Sequence, residues 1–132
     1  METLDGRGVI LDSSVWVAFL HDGDSQHAAA QKILARIGDE IIVPEYILVE
    51  VATILKRRKG AHEAQRFVRR VLREQIESFL PADLLAYETA ELFCERNDTL
   101  SFTDTALLIL SREYRIITFD KALAKALAQC SS

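Results

Sequence analysis

Short apolar runs alternate with longer stretches of helical periodicity along this chain. Val9-Ile10-Leu11, Ile41-Ile42-Val43, Ile76 to Leu80 and Ile116 to Phe119 have the length and composition of buried strands. Between them, Ser13 to Leu20 predicts a short helix presenting Val15, Trp16, Phe19 and Leu20. A second helix runs from a cap at Asp24 or Ser25 to about Ile37, with Ala29, Ala30, Ile33, Leu34 and Ile37 recurring at helical spacing before Gly38 stops it. Pro44 suits the first turn of a helix reaching Lys59, because proline's missing N–H is not needed there, and Gly60 ends it. The segment Ala61 to Glu74 predicts a helix with Phe67, Val68, Val71 and Leu72 inward and Arg66, Arg69, Arg70 and Arg73 outward. Pro81 opens a helix carrying Leu84, Leu85, Tyr87, Leu92 and Phe93, which ends near Asn97-Asp98. Ser101 begins another, nearly apolar all round through Ala106 to Leu110 and therefore the most buried, and Lys121 to Ala128 is the last. Short apolar strands alternating with helices predict an α/β fold, with a central, mostly parallel sheet of four or five short strands flanked by helices on both faces.

A chain of 132 residues fits one domain spanning 1–132. Hydrophobic residues at 49%, with only five Gly and two Pro, exclude a disordered or low-complexity chain. No apolar run approaches the roughly 18 residues of a membrane span, and Met1 to Gly6 lacks a basic segment followed by an apolar one, so no membrane role and a cytoplasmic location are expected. Cys94 and Cys130 lack metal-type spacing and read as reduced, inert thiols. His21, His27 and His62 are scattered and suit surface or capping roles, and Trp16 belongs to a core face, with base stacking near Asp12 as its alternative. There is no GxGxxG, P-loop or HExxH, which removes dinucleotide, NTP and zinc-protease chemistry.

The net charge of −4 conceals an uneven distribution: eight of the sixteen Lys and Arg residues lie between Lys56 and Arg73. The stretch Lys56-Arg57-Arg58-Lys59 and the ridge of Arg66, Arg69, Arg70 and Arg73 on one helix face are a candidate surface for RNA phosphates or, for the ridge, an acidic partner, the plainer alternative being two solvated helix faces.

Four acids punctuate the chain. Asp12 and Asp120 each follow a predicted strand, Asp104 lies early in its helix, and Glu50 lies about two turns into its own on the Ile47, Val51, Ile54 side. In parallel α/β sheets ligands gather outside the carboxyl ends of the strands, so four carboxylates there suit a hard divalent cation. Each acid also has a plainer account. Asp12 and Asp120 can be helix N-caps, and Ser101-Phe102-Thr103-Asp104 matches a capping box. Glu50 is the discriminator, because a mid-helix glutamate beside an apolar stripe caps nothing and needs a partner or an exposed edge.

Leu11-Asp12-Ser13-Ser14-Val15, Val43-Pro44-Glu45 through Val49-Glu50-Val51, Leu100-Ser101-Phe102-Thr103-Asp104-Thr105-Ala106-Leu107 and Thr118-Phe119-Asp120 resemble the four motif blocks of PIN-domain ribonucleases, and within them the VapC toxins. The blocks occur in order, successive acids standing 38, 54 and 16 positions apart. The resemblance implies that Asp12, Glu50, Asp104 and Asp120 ligate one or two Mg²⁺ or Mn²⁺ ions and carry the catalysis, supported by the hydroxyls of Ser13 and Thr118. It implies a metal-dependent endoribonuclease that uses activated water and leaves a 5′-phosphate and a 3′-hydroxyl. A small antitoxin protein and a homodimer are implied on the same ground. The family's last block is often followed by an aromatic residue where this chain has Leu123. Two rival classes are a receiver-like phospho-signalling domain and a catalytically silent PIN-like binding module. The receiver needs paired acids at the first strand, whereas Ser13 follows Asp12, and Lys121 does not occupy the receiver's lysine position.

Overall fold

A computed structural model describes residues 7–130; the segment Met1 to Gly6, read above for a targeting signal, lies outside them. Four strands, β1 (Val9–Leu11), β2 (Ile41–Pro44), β3 (Ser78–Leu80) and β4 (Arg115–Ile117), pair in parallel in the order β3-β2-β1-β4. The helices are α1 (Ser13–Leu20), α2 (His27–Arg36), α3 (Glu45–Arg58), α4 (Ala61–Leu72), α5 (Asp83–Glu95), α6 (Phe102–Leu110) and α7 (Lys121–Cys130).

The chain steps outward from β1 to β2 to β3 and then returns across the sheet to β4 on the far side of β1. Right-handed crossovers place α1 to α4 on one face and α5 and α6 on the other. Contacts agree: α1 packs on α2 and α3, α3 on α4, and α6 on both α5 and α7. The winding reverses between β1 and β4, which opens the crevice of a doubly wound sheet at the carboxyl ends of those two strands.

Strand β1 is fully buried at all three residues, as a central strand covered on both faces must be. Trp16 of α1 is also fully buried, edge-on to Phe67 of α4 at 5.2 Å between ring centroids. Its burial removes the base-stacking alternative. Helix α6 buries every residue from Thr105 to Leu110, as its all-round apolar pattern predicts. Gly8 admits β2 closely, since a Cβ there would stand 2.8 Å from Ile42 Cγ1, and Gly60 ends α3 at φ 111°.

Several predicted boundaries and faces differ. Helix α2 begins at His27 with Gln26 at its cap, in place of the predicted cap at Asp24 or Ser25, because Asp24 Oδ1 accepts the Gln26 N–H and closes a turn before the helix. Pro44 is the last residue of β2 and the N-cap of α3, one position earlier than its predicted place inside the helix. Helix α4 ends at Leu72, which is 43% exposed, and Arg70 turns inward instead of outward. Strand β3 starts at Ser78, leaving Ile76 61% exposed and Glu77 buried. On α5 only Leu85 and Thr89 are buried, so Leu84 and Tyr87 stand outside the stripe that meets α6. Strand β4 ends at Ile117, opposite the last residue of β1, so Thr118 and Phe119 belong to the connection.

Candidate metal centre

The reversal crevice is where the acids meet. Asp12 is the residue after β1 and the N-cap of α1; Asp120 follows β4 by three residues and precedes α7. Glu50 comes from α3 and Asp104 from the first turn of α6. All four line one cavity of about 360 Å³, together with Ser13, Ser14, Asp24, Gln26, Ser101 and Arg58.

Asp12 is 4% exposed and tightly held. Its Oδ1 accepts the Ser13 N–H at 2.8 Å, and its Oδ2 accepts the Thr118 hydroxyl at 2.6 Å and the Ser14 hydroxyl at 3.3 Å. The hydroxyls bonded to Asp12 are thus those of Ser14 and Thr118, while Ser13, expected to support the site through its hydroxyl, gives Asp12 its amide and also lines the cavity. Ser14 also accepts the Phe119 N–H, and Thr118 accepts the Asp120 N–H, so the connection after β4 is tied to the start of α1. Burial pushes the Asp12 carboxyl above its ordinary range; hydrogen bonds from Thr118 and the Ser13 amide oppose this, and the charges of Asp104 and Glu50 add to it.

The two capping accounts hold in part. Asp104 and Ser101 form the reciprocal capping box, which engages Asp104 Oδ2 and leaves Oδ1 over. Asp120 is exposed, and its Oδ1 accepts the Leu123 N–H in the first turn of α7, leaving Oδ2 over. Glu50 is different: half-buried beside the core stripe, it forms no hydrogen bond or ion pair with any described residue. Among the described residues, no three His, Cys, Asp or Glu side chains are already gathered tightly enough to hold an ion between them. The carboxylates share a cavity without closing on a common point, as mutual repulsion dictates for like charges. The donor set is all oxygen, with lone pairs left on every acid, which suits Mg²⁺ or Mn²⁺ and not a soft metal.

Ser14 and Asp24 were not singled out for this site by sequence, and Arg58 was read as part of a basic RNA-contacting stretch rather than as a wall of the acidic cavity. For Arg58 a signal existed, since Glu50, Ile54 and Arg58 recur at four-residue spacing on one face of α3. Arg58 Nη1 stands 3.9 Å from Asp24 Oδ2 across the cavity mouth. The predicted arginine ridge breaks up. Arg66 pairs with Glu63 at 3.5 Å, Arg69 and Arg73 join Lys56 around a cleft between α3 and α4, and Arg70 forks onto buried Glu77. His27 opens α2 with its Nδ1 2.7 Å from the Ala18 carbonyl. Both cysteines are exposed and free, and no helix among the described residues is long and apolar enough to cross a membrane.

A parallel sheet whose winding reverses above a pocket of carboxylates is the arrangement of the PIN domain, and residues 9–127 match that family. The chain belongs to the PIN domain family. Its fold is also that of VapC20 of Mycobacterium tuberculosis, described as a sarcin-ricin loop cleaving toxin, with a TM-score of 0.78 and 23% identity over 89% of this chain and 94% of that one. No curated protein matches the sequence. The receiver reading loses its basis, since receivers order their strands 2-1-3-4-5 and this sheet runs 3-2-1-4.

Proposed function

We propose that this chain is a VapC-like, Mg²⁺- or Mn²⁺-dependent endoribonuclease. The observation that carries the reading is Glu50, a half-buried carboxylate without a described partner, facing the same cavity as Asp12, Asp104 and Asp120. Asp12, Glu50, Asp104 and Asp120 would hold the ion. When bound, such an ion supplies Lewis-acid activation of water and offsets charge on the phosphate. The protein's own contribution is preorganisation. Ser13, Ser14 and Thr118 lock both Asp12 oxygens, so this carboxylate needs no rearrangement to act as a fixed anion. Arg58 brings positive charge to the cavity wall, where it would meet the non-bridging oxygens of a bound phosphate. By analogy with the family the expected products carry a 5′-phosphate and a 3′-hydroxyl, as when water rather than the neighbouring 2′-hydroxyl attacks the phosphorus and the 3′-oxygen leaves. A small antitoxin and a homodimer in the cytoplasm complete the proposal by analogy with VapC toxins.

Structured ribosomal RNA is the first substrate to try, given the description of VapC20. Purified protein with Mn²⁺ should cut it, excess EDTA should stop the reaction, and Asp12→Asn should be inert. Cutting by the wild type in excess EDTA would refute the metal-dependent reading. A silent binding module is the second reading, favoured if calorimetry detects no Mn²⁺ binding to the wild type and no RNA is cut.

A further inference from the structure

A second cavity, of about 540 Å³, adjoins the acidic one and shares Glu50 and Ile54 with it. Consecutive arginines of α3 divide between the two: Arg58 lines the acidic cavity and Arg57 the second. Arg57 is exposed and forms no ion pair with a described residue. Glu45 and Tyr46 line the second cavity at the start of the same helix, about 16–18 Å back along α3, and Thr103 of α6 lines it as well. Tyr46 is held edge-on to Phe102 at 5.7 Å, which gives the cavity a fixed aromatic wall. Glu45 uses Oε1 to accept the Ala82 N–H at 3.0 Å, and its Oε2 remains over.

We propose that this second cavity takes the stretch of single strand beside the cleaved phosphate, with Arg57 on a backbone phosphate at one end and, three turns back along α3, Tyr46 against a base and Glu45 accepting from that base's exocyclic amino group. The inference rests on the ribonuclease reading and deepens it. Volume fits, since a base with its sugar occupies a pocket of a few hundred cubic ångströms. Charge fits as well, because a groove that carries both a cation and an aromatic platform along its length is the usual arrangement for single-stranded nucleic acid. A carboxylate also discriminates among bases. Cytosine and adenine present an amino group to it, whereas uracil offers its N–H between two carbonyl oxygens that repel it.

The test uses fluorescein-labelled oligocytidylate and oligouridylate of about 12 nucleotides, within the span one single-strand site engages. Binding is read by anisotropy in EDTA with the Asp12→Asn protein, which cannot cut and carries one charge fewer in the acidic cavity. Oligocytidylate should bind roughly tenfold more tightly than oligouridylate. Adding Glu45→Gln, whose amide keeps the Ala82 contact but donates from nitrogen, should erase or invert that ratio. Adding Arg57→Gln should weaken both about equally and reduce the salt slope by about 0.7. Equal affinities that Glu45→Gln and Arg57→Gln leave unchanged overturn this subsite while leaving the ribonuclease reading standing. No binding by any form, with no cutting by the wild type, sinks both. A sedimentation coefficient that falls with Val49→Asp, while RNA affinity stays fixed, assigns the cavity to a second copy of the chain and also overturns the proposal.

Discussion

Removing the Arg70 side chain should destabilise the protein more than any other surface-accessible arginine, because Glu77 beneath it has nowhere else to place its charge. Arg70 Nε stands 2.9 Å from both Glu77 oxygens, and Nη2 is 2.6 Å from Oε2. The Glu77 side chain is 3% exposed and that of Arg70 32%. Breaking a buried pair by deleting one member typically costs about 3–5 kcal/mol, since the survivor is left charged and desolvated. Partial exposure of Arg70 moves the expectation to the lower end. Its guanidinium also lies 5.8 Å over the Trp16 ring, a contact worth about 0.5–1 kcal/mol. Arg70→Met should therefore cost about 3–4 kcal/mol, a large share of the roughly 5–15 kcal/mol that holds such a domain together. For a chain of this length that corresponds to a melting point lower by roughly 10–15 °C. Urea denaturation of Arg70→Met, Glu77→Leu and the double variant in EDTA completes the cycle. The double variant should recover about 2 kcal/mol or more relative to the sum of the single changes. An Arg70→Met cost below about 1 kcal/mol, or one that is the same with and without Glu77, would refute the argument.

In metal-free buffer Asp12→Asn should raise the urea midpoint near neutral pH, since the change removes a buried charge repelled by Asp104 and Glu50. The sign follows from linkage: a carboxyl whose folded pKa is raised contributes stability below its ordinary value of 3.8 and loses it as pH rises through the folded value, so the wild type should weaken over that window and the variant less. A variant less stable than the wild type in EDTA at every pH would contradict this. With Mn²⁺ at about a hundred times its dissociation constant, the wild type should gain about 2.7 kcal/mol and Asp12→Asn far less, measured by thermal melts. Thr118→Val should remove the 2.6 Å hydrogen bond to Asp12 and raise its carboxyl further, visible as weaker Mn²⁺ binding by calorimetry with the fold intact by circular dichroism. Gln75→Gly should stabilise by about 0.5–1 kcal/mol, because Gln75 holds φ 54° between α4 and β3; a loss of stability in the urea midpoint would show that its side chain matters more than its backbone.

The layered α/β architecture was legible because each central strand is an unbroken apolar run bounded by loops or helix starts, and α6 is apolar on every side. Edges were less legible. Phe119 extends the apolar run of β4, yet β1 has no residue left to pair with it, so a partner's length sets the strand's end. Ile76 and Glu77 invert the usual preference for burial, and only the fold brings Arg70 from a neighbouring helix to make that inversion stable. Leu84 and Tyr87 belong to an apolar pattern wider than the stripe α6 can cover. That Asp12, Glu50, Asp104 and Asp120 meet in one cavity was legible through their order and blocks. Ser14, Asp24 and Arg58 entered the cavity through tertiary folding, although the four-residue spacing from Glu50 already aimed Arg58 there.

Glu50 and Glu77 pose the same problem in sequence, an acid embedded among apolar neighbours, and the fold answers it in opposite ways. Glu77 receives a forked arginine and becomes part of the scaffold that joins α4 to β3. Glu50 receives none: of the two arginines that line its cavities, Arg58 stands toward Asp24, and Arg57 forms no ion pair with a described residue. A half-buried carboxylate without a countercharge, next to a second one whose protonation is favoured by burial, is an electrostatic deficit that a rearranged lysine on α3 could have removed. Helix α3 places its lysines at 56 and 59, away from that face, so the deficit is retained at the one point where the sheet reverses its winding. Retained strain of this kind in a polar pocket is what a cation-dependent site requires, since an acid already neutralised by the protein has little affinity left for an ion.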